Sequence, residues 1–297
     1  MSNKWKIFWA FSFVFVILFQ ACGMHSWEEL LISTADEKKM GREFDSLIKI
    51  GDKAVMQSGE TVFAPQTAEQ TALYNYYQDR AREIVNAIDQ KDLNALLPSG
   101  YTRNNFFEFK IISSKQVNAF AVPGGYVYFY TAILKQFQSE SELMGVLGHE
   151  VGHVVRHHSR EGMVKQAGAS TVIGIFLGDG IAGLIGELGA TFWLLGNSRE
   201  NELEADEMGY YYTNKIGISS KGLSDFFARG LKTNAQGKCE DPKKESSIFD
   251  VLSTHPPSCE RVEKNIDRIT KSGQNFPMNK NTYNGKQFTQ LVSEAKL

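Results

Sequence analysis

Six residues, Gly148-His149-Glu150-Val151-Gly152-His153, constrain this chain more than any others. They write H-E-x-x-H within a segment that reads as helix. Four residues make a little over one helical turn, so His149 and His153 leave the helix from the same face. Two neutral imidazoles at that spacing can share one tetrahedral zinc ion. Glu150, beside the first, can hold a water at the metal without ligating it. The arrangement points to peptide-bond hydrolysis. Ser139 followed by Glu142 matches a capping box, and Leu143, Val146, Leu147, Val151, Val154 and Val155 recur at helical spacing, which gives the helix a buried side. Gly148 and Gly152 each weaken a helix by roughly 1 kcal/mol relative to Ala. The expected compensation is room for a strand or a substrate to come close to the ligands. Three fixed letters in five also recur in unrelated helices, so the motif needs a third ligand beside it.

A catalytic zinc normally has three protein ligands and one open position. The segment 197–206 reads as the start of a second helix, capped by Asn197 or Ser198 and ended by Gly217. Glu202 and Asp206 share one of its faces, with Ala205 and Gly209 keeping that face small. Glu202 is read as the third ligand. Asp206 is read as the acceptor for a ring N–H of a zinc histidine, a contact that fixes the tautomer and aims the ring. A solvated acidic helix is the alternative, because Glu200, Glu204 and Glu207 lie in the same stretch.

H-E-V-G-H and E-L-E-A-D together resemble the glutamate-zincin peptidases of the HtpX-like and BepA-like type, related to CAAX prenyl endopeptidases and mitochondrial Oma-type proteases. Two more segments carry the resemblance: Asn118-Ala119-Phe120-Ala121-Val122-Pro123-Gly124-Gly125 before the motif helix, and Thr254-His255-Pro256-Pro257 with Arg261 after the second helix. The four motifs keep the family's order from about residue 117 to 261. The resemblance implies one Zn2+ per chain, held by His149, His153 and Glu202, with Glu150 as general base. It also implies a zincin-like metallopeptidase domain of α+β class, mainly helical, with a small antiparallel sheet beside the H-E-x-x-H helix.

The residues add detail to that expectation. The stretches 107–112 and 118–130 are strand-like, joined by a short turn near Ser113-Ser114-Lys115, and Pro123-Gly124-Gly125 breaks the second into a hairpin or bulge. An edge strand bearing Asn118, Ala119 and Phe120 can pair with an extended substrate through its main chain; a plain structural hairpin is compatible with the same residues. His255 has two readings, an oxyanion donor near the open zinc position or a fourth ligand that covers the metal at rest, and an incidental loop histidine is the third. Arg261 either orients this loop or binds substrate carbonyls. His157 continues the four-residue step from His149 and His153, but two turns is about 12 Å of rise, too far to share one ion. Neither His157 nor His158 is assigned a primary role, although one of them suits support of a ligand.

The amino terminus reads as an export signal, with Lys4 and Lys6 before the uncharged apolar stretch 7–19. That stretch is short of the ~20 residues needed to span a bilayer. Leu18-Phe19-Gln20-Ala21-Cys22 loosely resembles a bacterial lipoprotein box, so residues 1–21 are expected to be removed and Cys22 lipidated, with ordinary cleavage or retention as a signal-anchor as alternatives. The catalytic part is then lipid-anchored in the periplasm. With Cys22 set aside, Cys239 and Cys259 form an even pair suited to one disulfide, with two free thiols as the alternative. The formal net charge of −2 is mixed along the chain and no basic tract suggests nucleic acid.

The domain plan is a signal over 1–21, a tether over 22–35 and a metallopeptidase domain over 36–297. Helices are expected over 36–50 and 67–97 and near the C-terminus from Gly285. The apolar, glycine-rich stretch 167–197 is expected to wall the cleft as buried or membrane-facing helices, or to be plain core. Expected substrates are proteins or peptides, above all unfolded or misassembled envelope proteins. A chaperone-like or adaptor lipoprotein with a closed zinc site is the competing reading. A purely structural zinc protein would leave Glu150 without a task.

Overall fold

The computed structural model describes residues 31–167, 197–234, 238–241 and 255–297. The export signal, Cys22, most of the glycine-rich stretch 167–197, and Ser253-Thr254 before His255 lie outside them. The first helix among the described residues, α1 (Thr34–Ile50), opens on a capping box between Ser33 and Asp36 and closes on left-handed Gly51. The expected helix over 67–97 is two helices, α2 (Ala68–Ala87) and α3 (Gln90–Leu96). They separate where Ile88 turns extended before Asp89, whose side chain makes no capping bond to α3 and instead accepts from Tyr211 and Lys215.

A four-stranded sheet follows, built from β1 (Thr61–Val62), β2 (Glu108–Ser113), β3 (Ala119–Val122) and β4 (Tyr126–Tyr130) in the order β1-β2-β4-β3, with the one-turn helix α4 (Arg103–Phe106) leading into β2. The sheet is mixed: β2 runs parallel to β4, while β1–β2 and β3–β4 are antiparallel. The turn after Ser113 therefore carries the chain past β4 to the edge. β4 is buried along its whole length because both faces of the sheet are covered. Val127 and Phe129 join the main core with α2 and the motif helix. Tyr126, Tyr128 and Tyr130 face a second core with Met40, Phe44 and Ile48 of α1.

After α5 (Thr131–Gln136) comes the motif helix, α6 (Glu140–Val155), then α7 (His158–Ala167), α8 (Arg199–Lys215), α9 (Lys221–Ala228), the short hairpin β5 (Lys232–Thr233) and β6 (Cys239–Glu240), α10 (Cys259–Ser272) and α11 (Phe288–Ala295). All sixteen residues of α6 are buried, so it is wrapped on every side rather than amphipathic. Ser139 caps it as expected, accepting from the Glu142 N–H. The Glu142 carboxylate instead reaches one residue further back, to the Gln138 N–H at 2.8 Å, and pairs with Arg229. Buried Glu140 accepts from the Lys280 and Asn281 main-chain N–H groups, so the C-terminal segment fastens the start of α6.

The glycines of α6 make room for a helix, not for a strand or a substrate. A Cβ on Gly148 would lie 3.0 Å from Gly209 Cα, and one on Gly152 would lie 2.9 Å from Met208 Cβ. Both contacts are to α8. Two backbones without intervening side chains bring the motif helix and the second acidic helix close enough to build one site.

Candidate metal centre

His149, His153 and Glu202 converge from α6 and α8, and His255 joins them from the segment before α10. One ligand atom from each of the four lies within 4.8 Å of every other, and all four residues are buried. His149 Nε2 is 3.0 Å from His153 Nε2 and 3.1 Å from His255 Nδ1. Glu202 sits 3.5 Å from His149 Nε2, 3.4 Å from His153 Nε2 and 2.9 Å from His255 Nδ1. Burial keeps the His153 imidazole neutral, well below the usual histidine range, against the pull of Glu202. Burial opposes ionisation of Glu202, yet His255 and Arg261 hold its carboxyl well below the usual range. Imidazole nitrogens and an ionised carboxylate brought to one spot are the donor types that zinc accepts. The close approach of imidazole nitrogens is itself unfavourable without a shared proton or cation between them.

The outer contacts aim these groups. His149 Nδ1–H donates to Asp206 Oδ1 at 2.9 Å, which leaves its Nε2 lone pair for the cluster. Arg261 grips Asp206 through two bonds of 2.7 Å, pairs with Glu202 Oε2 at 2.8 Å and donates to the Pro256 carbonyl. Its guanidinium also lies over the Phe227 ring, 4.1 Å from the centroid. Arg261 is thus committed to carboxylates and to the backbone next to His255. Glu150 points its Oε1 to within 3.4 Å of His255 Nε2, while its buried Oε2 has no hydrogen-bond partner. A buried carboxylate oxygen without a partner is costly and suits a water or substrate group at that place. Burial alone would lower the His255 pKa, but the Glu150 and Glu202 carboxylates push it up to about 9.

Residues 85–269 match Peptidase family M48. The chain belongs to this family. It is 31% identical over 171 residues to metalloprotease LoiP of Escherichia coli K12, covering 56% of this chain and 64% of that protein. Similarity extends to mitochondrial metalloendopeptidase OMA1 of Arabidopsis thaliana, 28% identical over 56% of this chain and 32% of the relative. A beta-barrel assembly-enhancing protease of Yersinia pestis is 30% identical over 55% of this chain and 34% of its own length. The matches thus span less than two thirds of these relatives.

Around this M48 centre the remaining sequence candidates have definite places. Asn118, Ala119 and Phe120 are buried at the start of β3, the edge strand that packs beside α6. Asn118 Oδ1 accepts from the Ala119 N–H, and Phe120 stacks on Tyr128. Cys239 and Cys259 are joined by a disulfide, which ties β6 to the first turn of α10, two residues before Arg261. The sequence reading did not place Arg261 against both Asp206 and Glu202. Of His157 and His158, one of which suits support of a ligand, it is His158 whose Nδ1 lies 2.8 Å from His153 Nδ1.

Proposed function

We propose that this M48 protein is a zinc-dependent metalloendopeptidase of the bacterial cell envelope that cleaves misfolded or misassembled envelope proteins. One observation carries the reading: the cluster of His149, His153 and Glu202 with the half-unpaired carboxylate of Glu150 beside it. Zinc, when bound, polarises a carbonyl and acidifies a water. His149, His153 and Glu202 would hold the ion, Asp206 and Arg261 fix the orientation of His149 and Glu202, and Glu150 would take a proton from the attacking water and pass it to the leaving amine. Among the described residues β3 is an edge strand beside α6, and its main chain is the candidate for pairing with an extended substrate near Asn118, Ala119 and Phe120, whose side chains are buried. The envelope assignment and lipidation at Cys22 rest on the amino-terminal sequence; among the described residues no helix is long and apolar enough to cross a membrane. Relatives named beta-barrel assembly-enhancing proteases support an envelope substrate.

The test is cleavage of an unfolded model protein by the full-length chain and by Glu150→Gln, with the zinc content of both measured. The account expects the variant to retain zinc and to lose about 10²- to 10⁴-fold in kcat, the usual contribution of a general base. Equal cleavage by both proteins would remove Glu150 from the mechanism.

A second reading rests on His255. Its Nδ1 lies with the ligand atoms of His149 and Glu202, where it would serve as a fourth donor. This favours a site closed at rest, either as a restrained peptidase or as a chaperone-like or adaptor lipoprotein. Cleavage that appears only in His255→Ala identifies the restrained enzyme. Zinc-loaded protein that stays inactive in both forms supports the adaptor.

A further inference from the structure

We infer that His158 is the positioning residue for the zinc ligand His153, an inference that rests on the zinc-site reading above. The two Nδ1 atoms are 2.8 Å apart and both rings are buried. His153 turns its Nε2 towards His149 and Glu202, so a lone pair on Nε2 requires its proton on Nδ1. His158 Nδ1 must then accept that proton's hydrogen bond, which places the His158 proton on Nε2. There it meets a second acceptor, Glu204 Oε2 at 3.3 Å. Arg156 holds the same carboxylate at 3.1 Å. Each step fixes the next, and only one tautomer of each ring satisfies the whole chain. The arrangement parallels that of His149, whose Nδ1–H is held by Asp206 and then by Arg261. Each zinc histidine therefore has its own support: the Asp206 carboxylate for His149 and the His158 imidazole for His153.

The backbone shows how the contact is made. On an uninterrupted helix, a residue five positions beyond His153 would lie about 140° round the axis from it. The chain instead leaves the helix after Val155, and His157 adopts φ 56°, a left-handed conformation uncommon outside glycine. That turn starts α7 at His158 and folds its ring back onto His153. The unusual residue is held from outside: His157 Nδ1 bonds to Glu37 Oε2 of α1 at 2.7 Å. The first helix of the domain thereby sets the turn that presents His158.

The deciding experiment measures zinc affinity by chelator competition for the full-length protein, His158→Leu and His158→Asn, together with melting of each in chelator. Asn keeps an acceptor near the place of Nδ1, whereas Leu fills the space without one. Loss of an outer partner typically weakens a metal ligand 10- to 100-fold, so His158→Leu is expected to lose about that much affinity and His158→Asn no more than about threefold. The two chelated variants are expected to melt together. Zinc affinity unchanged in His158→Leu, or lost equally in both variants, overturns the inference. A second readout needs no variant: in the zinc-loaded wild type, an N–N coupling across the hydrogen bond between the two Nδ1 atoms is expected in the imidazole nitrogen spectrum. Its absence overturns the inference even if His158→Leu fails to fold. A wild type that binds no zinc sinks the zinc-site reading instead, and separates the two failures.

Discussion

Arg261 is the residue on which the electrostatics of the site turn. It is buried with two carboxylates, and their charges hold its guanidinium above its ordinary pKa although burial opposes this. Removing one member of a buried ion pair strands the others, which typically costs about 3–5 kcal/mol. Arg261→Met is therefore expected to lose that much stability in chemical denaturation, and Arg261→Lys to recover only part of it because a point charge cannot repeat the paired bonds to Asp206. A loss below about 1 kcal/mol in Arg261→Met would show that the two carboxylates do not need it. His255 gives a prediction whose sign is informative. Because its Nδ1 sits among the ligand atoms, His255→Ala is expected to raise cleavage of an unfolded protein; a fall assigns His255 to stabilising the transition state. At this scale, spacing within one helix was readable and contacts between helices were not. His149 with His153, and Glu202 with Asp206, follow from a four-residue step. Arg261 with Asp206 joins residues 55 apart in sequence. The sequence leaves open which of His157 and His158 supports a ligand; the left-handed turn at His157, which spacing does not reveal, puts the His158 ring against His153.

Packing of α6 against α8 decides whether the ligands meet. Gly148→Ala puts a methyl group 3.0 Å from Gly209 Cα, and overpacking of this kind costs about 1–3 kcal/mol. Gly162 in α7 has nothing within 4 Å of its added Cβ, so Gly162→Ala should stabilise by up to about 1 kcal/mol. Melting of the two variants should shift in opposite directions, with zinc affinity reduced only in Gly148→Ala; matching shifts would contradict the close-contact account. A second element-scale prediction concerns the docking of α1. Lys38 donates to the Phe106 and Gly124 carbonyls from a site ringed by Tyr101, Phe106 and Tyr126. Burial pushes its ammonium down to about 8, below the unfolded value near 10.4. The unfolded chain therefore binds more protons than the folded one between those values, and stability rises with pH there. Measured against Lys38→Met, wild-type stability is expected to gain from about pH 8 to pH 10.5; a flat difference would contradict the depressed pKa. Strand-forming stretches and the Pro123 turn were visible as sequence. The parallel pairing of β2 with β4 was not, because a short turn suggests nearest-neighbour pairing and only burial on both faces selects β4 for the centre.

Taken whole, the molecule builds one site from pieces far apart in the chain. α6 and α8 supply His149, His153 and Glu202, the segment preceding α10 supplies His255, and α1 sets the turn behind His158. The disulfide closes a loop from Cys239 to Cys259 that contains His255; by loop entropy such a link is worth roughly 3 kcal/mol. Replacing both cysteines with alanine is expected to lower denaturation stability by about that amount, and an unchanged midpoint would show that the loop is already restrained without it. The family and the cluster were readable because their motifs are short and local. The wrapping of α6 by the C-terminal segment at Glu140 was not, because a buried carboxylate in a first helical turn looks like an ordinary capping residue. The most direct test of the zinc account is the metal content of the full-length protein beside Glu202→Ala after equilibration with zinc and removal of excess. One tightly held zinc per wild-type chain, weakened or lost in a folded Glu202→Ala, is the predicted result. A folded wild type that retains no zinc, or a variant that holds it as tightly, would contradict the ligand set.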